Sequence, residues 1–256
     1  MERYDQFAFV LVRPKSAGNL GSAARAIKNM GFADLRLIAP EALPTASAAH
    51  SMAVHANDVL ARAKIFASLD DALADCAISV GTTCRGGLYR EAVRPLRESA
   101  IELAAESSSN RIAMIFGSED TGLTNEELKF CQRLITIPTS TEYASINLAQ
   151  SIILCAYELR MALESETVPN DPRQFASVSD VNAALDRMKD ALLAIGFLAE
   201  ENPEHIMFAI RGIFARSGLT PRELEIISGI ASQTRWVAEG GHATLAAKRA
   251  SGKKLR

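Results

Sequence analysis

Phe7-Ala8-Phe9-Val10-Leu11-Val12 is an unbroken apolar run with no alternation of polar and apolar positions. A run of that length predicts a strand covered on both faces, as in a parallel sheet under helices. Four more short, largely apolar runs follow: Leu35-Arg36-Leu37-Ile38, Ala77-Ile78-Ser79-Val80, Arg111-Ile112-Ala113-Met114-Ile115-Phe116 and Leu134-Ile135-Thr136-Ile137. Helical patterns fall around them at 22–30, 47–66, 95–106, 124–131 and 145–163. Strand alternating with helix predicts an α/β fold built on a mostly parallel, doubly wound sheet.

Local chemistry marks several boundaries. Gly31 follows Met30 where a helix must reverse into a strand, a C-cap use of glycine. Thr124-Asn125-Glu126-Glu127 has the form of a capping box. Residues 164–178 are polar at first, carry Pro169 and Pro172, lack any period, and read as a linker after a first domain at 1–163. From 179 to 256 helical spacing returns through Val181, Leu185, Met188, Leu192 and Ile195, then Ile206, Ile210, Ile213 and Phe214. Thr220-Pro221-Arg222-Glu223 starts a third helix with a capping threonine and a proline at its first position. This predicts a small all-helical extension, too short of apolar surface to be strongly stable alone.

Composition excludes several classes. The 256 residues are 48% hydrophobic and 23% charged, ordinary for a globular protein and incompatible with global disorder. No apolar run reaches the roughly 20 residues needed to span a bilayer. Mixed charges in Met1-Glu2-Arg3-Tyr4-Asp5-Gln6 do not resemble a signal peptide. Cys76, Cys84, Cys131 and Cys155 are widely spaced, which fits buried or free thiols in a reducing cytoplasm rather than a zinc ribbon. His50 and His55 stand five apart, a poor spacing for a paired ligand site, and no metal is expected. A net charge of −2 advertises no polyanion partner, yet residues 248–256 hold five basic groups and no acid.

Three turns lie where strands should end, the place open α/β sheets keep for ligands. Ser16-Ala17-Gly18-Asn19-Leu20-Gly21-Ser22-Ala23-Ala24-Arg25 opens a helix with small residues but lacks both the dinucleotide fingerprint and the P-loop signature. Ile115-Phe116-Gly117-Ser118-Glu119-Asp120-Thr121-Gly122-Leu123-Thr124 carries an acidic pair between two glycines, and is not a nucleophile elbow. Ile137-Pro138-Thr139-Ser140-Thr141-Glu142-Tyr143-Ala144-Ser145-Ile146-Asn147 runs a polar loop into a helix start, whose free amides can hold a polar ligand. Each alone could be structural.

Taken in order, Gly18-Asn19-Leu20-Gly21-Ser22-Ala23-Ala24-Arg25, Phe116-Gly117-x-Glu119-x-x-Gly122-Leu123-Thr124-Asn125-Glu126-Glu127-Leu128 and Glu142-Tyr143-x-Ser145-x-Asn147-Leu148-Ala149 resemble the TrmH-like branch of the SPOUT RNA methyltransferases, most nearly its TrmJ type. The likeness covers 7–162 and continues into the extension through Ala194-Ile195-Gly196-Phe197, Arg211-x-x-Phe214 and Glu223-Leu224. It implies a C-terminal trefoil knot, a homodimer, S-adenosyl-L-methionine as cofactor, and 2′-O-methylation of an RNA ribose. The TrmJ type implies tRNA, at nucleotide 32 (cytidine or uridine) of the anticodon loop. Ribosomal RNA or another tRNA position is the nearer alternative, and a non-catalytic RNA-binding module the more distant one. The resemblance places the cofactor against Thr82, Thr83, Cys84, Gly117, Ile137, Ala144, Ser145 and Ile146. It gives Arg25 the reacting hydroxyl, with Asn19, Glu119, Ser145 and Asn147 holding the geometry. A guanidinium stays charged, so Arg25 suits gripping a phosphate and orienting the hydroxyl better than removing a proton. Ser118 and Asp120 depart from the family pattern, which has basic residues there, leaving Arg13, Lys15, Arg85, Arg90, Arg94 and the basic tail as candidate RNA-facing cations.

Overall fold

A computed structural model describes residues 3–84, 93–241 and 243, in two compact units, Met1–Ser179 and Asp180–Arg256. In the first unit seven strands form one sheet: β1 (Phe7–Val12), β2 (Asp34–Ile38), β3 (Lys64–Phe66), β4 (Ile78–Thr82), β5 (Val93–Pro95), β6 (Ile112–Phe116) and β7 (Arg133–Thr136). Their order is β3-β2-β1-β6-β4-β7-β5, and every pairing is parallel. All residues of β1 and β6 are buried, as continuous apolar runs between two helical layers require. The helices are α1 (Ala17–Asn29), α2 (Ser47–Ala53), α3 (Asn57–Ala61), α4 (Leu69–Leu73), α5 (Leu96–Glu106), α6 (Asn125–Leu128) and α7 (Leu148–Leu163). Gly31 takes φ +86 at the end of α1, where Phe32 N–H bonds back to the Ile27 carbonyl.

Three expectations are corrected. The helix expected over 47–66 is two short helices joined by a 3₁₀ turn, because Val54 takes φ +53, a conformation a β-branched residue cannot hold inside a helix. Its last residues are strand β3. Both unforeseen strands, β3 and β5, have three residues at a sheet edge, too few to show a period, and they carry Lys64 and Pro95 as edge strands commonly do. The helix expected from 145 begins only at Leu148, because the Asn147 side chain accepts from Ala149 N–H and Gln150 N–H and caps it. The capping boxes at Thr124 and Thr220 are both present.

The stretch 164–178 does more than connect. Phe175, Ala176 and Val178 are buried. Asn110, itself 3% exposed, accepts from Phe175 N–H at 2.8 Å and donates to the Arg173 and Glu106 carbonyls. Val178 N–H bonds the Cys76 carbonyl. These bonds strap the segment to the first unit.

Arg36, 2% exposed in β2, pairs with Asp34 and Asp75, and Arg111 joins the same two carboxylates. Burial pushes the Asp75 carboxyl up, but the Arg36 hydrogen bond and charge outweigh it and leave it at about 2.

Among the described residues the second unit holds most of α8 (Val178–Ala194), which it enters at Asp180, together with α9 (Pro203–Ser217) and α10 (Pro221–Trp236). Arg211 of α9 ties to Asn182 and Asp186 of α8.

Two outcomes follow. Asn110→Ala leaves buried main-chain groups without partners and lowers the unfolding free energy by about 2–4 kcal/mol, measured by urea denaturation. The Asp75 pairing stabilises the fold above the ordinary aspartate range near 4 and is lost as pH falls toward 2, so an acid titration followed by circular dichroism loses stability in that window and Asp75→Asn flattens the loss.

Candidate functional site

Because the strands are parallel, the turns after β1, β4, β6 and β7 leave the sheet on one side. The turn after β1 is strained: Arg13 has φ +52, which costs a residue with a Cβ about 1–2 kcal/mol. Its guanidinium grips Glu127 with two bonds, 2.8 and 3.0 Å, and Glu127 also accepts from Thr124 N–H. Burial raises the Glu127 carboxyl, but the Arg13 hydrogen bond and charge, together with the bonds from Thr124, outweigh it and leave the carboxyl below its ordinary range. Ser16 then caps α1 by accepting from Asn19 N–H.

After β6 the chain makes a tight reversal in which Gly122 N–H bonds the Ser118 carbonyl. A Cβ at Gly117 would stand 2.0 Å from the Gly122 carbonyl carbon, and Gly122 takes φ +64, so both positions require glycine. This loop delivers Glu119 to the β1 turn. One Glu119 oxygen accepts from Ser16 N–H at 3.0 Å and from the Asn19 amide at 3.1 Å, and the other accepts from Lys15 N–H at 3.0 Å. Burial raises its carboxyl, yet these donors hold it below the ordinary range, so it is ionised at neutral pH and a poor proton acceptor. Asn19 in turn accepts from the Asn147 amide at 2.9 Å. Asn147, Asn19 and Glu119 thereby join the three turns in one chain of hydrogen bonds.

Beside this chain lies a cleft of about 140 Å³. Thr82, Thr83, Cys84, Gly117, Ile137, Ala144, Ser145 and Ile146 all line it, together with Glu119. Phe116, Ser118, Asp120, Thr121, Leu123, Leu148 and Ser151 also line it and were not foreseen. Leu148 and Ser151 had a signal, since both lie within the first turn of a helix whose start was named. Among the described residues no group of three His, Cys, Asp or Glu side chains could hold a metal ion.

Arg25 is not among the lining residues. It is exposed on α1, and at 3.6 residues per turn it stands roughly 9 Å along the helix from Asn19 and turned about 120° away. Of the candidate cations, Arg13 pairs with Glu127, Lys15 with Asp120 and Arg94 with Glu102. Arg85, Arg90 and the basic tail lie outside the described residues.

Residues 6–157 match the model of the SpoU rRNA Methylase family, and residues 179–245 match that of the tRNA methyltransferase TrmJ C-terminal domain. The chain is 36% identical over 248 residues to the tRNA (cytidine/uridine/adenosine-2′-O-)-methyltransferase TrmJ of Pseudomonas aeruginosa strain UCBPP-PA14, covering 92% of this chain and 96% of the relative. It is 36% identical over 239 residues to the tRNA (cytidine/uridine-2′-O-)-methyltransferase TrmJ of Escherichia coli strain K12, covering 91% and 97%. The crystal structure of TrmJ from Z. mobilis ZM4 superposes with a TM-score of 0.77 at 28% identity, over 88% of this chain and 97% of that one.

Glu119→Gln puts an amide N–H against main-chain donors and lowers the unfolding free energy by about 1–3 kcal/mol. Equal urea midpoints for the two proteins would remove Glu119 from the centre of the site.

Proposed function

The chain belongs to the SpoU rRNA methylase family, and on that premise we propose that it methylates ribose 2′-hydroxyls of tRNA with S-adenosyl-L-methionine, at nucleotide 32 (cytidine or uridine) of the anticodon loop. The activities for which the relatives are named, in chains matched over most of their length, support tRNA as substrate and the 2′-oxygen as acceptor. The TrmJ C-terminal match at 179–245 favours tRNA over ribosomal RNA. The single observation that carries the reading is the hydrogen-bonded chain Asn147–Asn19–Glu119 beside the cleft.

The cleft residues suit the cofactor's chemistry. Ile137, Ile146 and Leu123 offer apolar surface for an adenine, the Thr82 and Thr83 side chains offer hydroxyls, and Gly117 brings main chain to the wall where a Cβ could not fit. Carboxylates at Glu119 and Asp120 favour a cation nearby. When bound, S-adenosyl-L-methionine supplies an electrophilic methyl on a positively charged sulfur.

The protein's own part is positioning. Glu119 is committed to three N–H donors and fixes the wall, while Ser145, exposed at the cleft, has a hydroxyl to hold the ribose. Arg25, exposed and with no partner among the described residues, grips the phosphate beside the reacting hydroxyl and aligns that hydroxyl for in-line attack. Its place away from its own cleft supports a homodimer in which Arg25 serves the partner's cleft. Leu154, Tyr157 and Met161 support the same assembly, since they form an exposed apolar stripe at helical spacing on α7. A tRNA substrate puts the enzyme in the cytoplasm; among the described residues no helix is long and apolar enough to cross a membrane.

Incubation with methyl-labelled S-adenosyl-L-methionine and total RNA, followed by mapping of 2′-O-methylated nucleotides, gives label at tRNA nucleotide 32. Label in ribosomal RNA or at another tRNA position redirects the substrate, and no label leaves a binding module. Arg25→Ala lowers kcat/KM by about a hundred-fold or more while cofactor affinity persists; retained turnover would refute the role of Arg25.

A further inference from the structure

The Lys15 main chain is fixed and its head group is not. Lys15 N–H is held by Glu119, whereas the ammonium meets Asp120 at 2.7 Å and Glu41 more loosely at 3.7 Å. Both carboxylates are more than half exposed, and the Lys15 side chain is 40% exposed. Asp120 is preset for the contact: its other oxygen accepts from the Ser118 hydroxyl at 2.6 Å, and Ser118, 3% exposed, also bonds the Thr121 hydroxyl. The pair sits at the cleft wall that Asp120 lines. Arg13, the neighbouring cation, differs in every respect, being gripped twice by a carboxylate only 15% exposed.

An exposed one-point pair is worth little in water, and a backbone phosphodiester, with one negative charge shared by two oxygens, competes well for an ammonium. Resting on the tRNA reading above, we propose that Lys15 takes a phosphate of the bound RNA and that Asp120 occupies its ammonium until RNA arrives, setting how tightly RNA is held. Lys15 is thus an RNA-binding residue, and Asp120 is an internal competitor for it. The fixed main chain means that only the ammonium and the last bonds of the side chain move in the exchange. No backbone rearrangement of the wall is needed, because Asp120 keeps its bond to Ser118.

A double-mutant cycle tests this with four full-length proteins: wild type, Lys15→Met, Asp120→Asn and the double variant. Binding of a tRNA transcript is read by fluorescence anisotropy across a salt series, with cofactor affinity and thermal midpoint measured beside it. Asp120→Asn keeps an acceptor for Ser118 but no longer holds the ammonium, and it tightens tRNA binding about two- to five-fold. Lys15→Met weakens binding and flattens the log–log salt slope by about 0.7–0.9, the share of one phosphate contact. In the Lys15→Met background Asp120→Asn no longer tightens binding. Equal tightening in both backgrounds would mean that Asp120 acts only as general negative charge, and an unchanged slope in Lys15→Met would take Lys15 off the phosphate; either overturns the proposal. Wild-type protein that neither binds nor methylates tRNA overturns the functional reading as well, whereas wild-type methylation with an additive cycle removes only the Lys15 exchange.

Discussion

An ionised carboxylate drawn into a partly buried wall must find donors, and Glu119 finds two of its three on the main chain. A main-chain N–H cannot rotate away as a side chain can. Its use here therefore fixes the path of the turn after β1 relative to the loop after β6. The third donor, the Asn19 amide, carries the order further. Its nitrogen must face Glu119, so its oxygen faces the other way and is free to accept from Asn147. The Asn147 oxygen is consumed in capping α7, which leaves its nitrogen as the only end that can reach Asn19. One negative charge thus sets the orientation of two amides in succession and ties together turns more than a hundred residues apart.

The sheet order is what lets these segments meet. β1 and β6 are hydrogen-bonded neighbours in parallel, so their C-terminal ends emerge side by side and the turns that follow are in reach of each other. Close quarters have a cost in the backbone, visible at Arg13 with its positive φ and at the Gly117–Gly122 reversal. At Arg13 the offset is specific. The strained turn aims the guanidinium at Glu127, which a capping box already holds in place at the start of α6. Strain in one loop is balanced by a two-point ion pair to the next, and the cleft wall inherits the rigidity of both.

The centre of the sheet was legible in the sequence because burial on both faces leaves no choice of composition: 7–12 and 112–116 can only be apolar. The edges were not, since the three residues of β3 or β5 carry no period and take their shape from a neighbour. The break at Val54 was invisible too, because no local residue announces a positive φ on valine. For the site, the eight residues named for the cofactor line one cleft, and they were found through an ordered resemblance rather than through any physical pattern in one segment. Their pairings could not be read. Nothing in Asn19 alone says that its amide bridges Glu119 and Asn147, and nothing in Asp120 says that it sits on Lys15. Partner choice over a hundred residues of separation is fixed by the sheet register and the loop lengths together, and neither is written in one stretch of chain. The resemblance also placed Arg25 at the reacting centre, where the single chain keeps it on an exposed helix face.

Net charge says little about whether such a chain can hold a polyanion, because what counts is how firmly each cation is already committed. Arg36 is 2% exposed and satisfied by two carboxylates and the Ala72 carbonyl; removing it from them would strand charge in the sheet, so it is fixed to the fold. Lys15 and Asp120 stand at the other limit, where water screens the pair and either partner can be exchanged at small cost. A chain with net charge −2 can therefore still present positive charge where a polyanion arrives. The loops after β1 and β6 hold both kinds of pair within a few residues: Arg13 with Glu127 keeps the wall in shape, and Lys15 with Asp120 leaves its surface open to exchange.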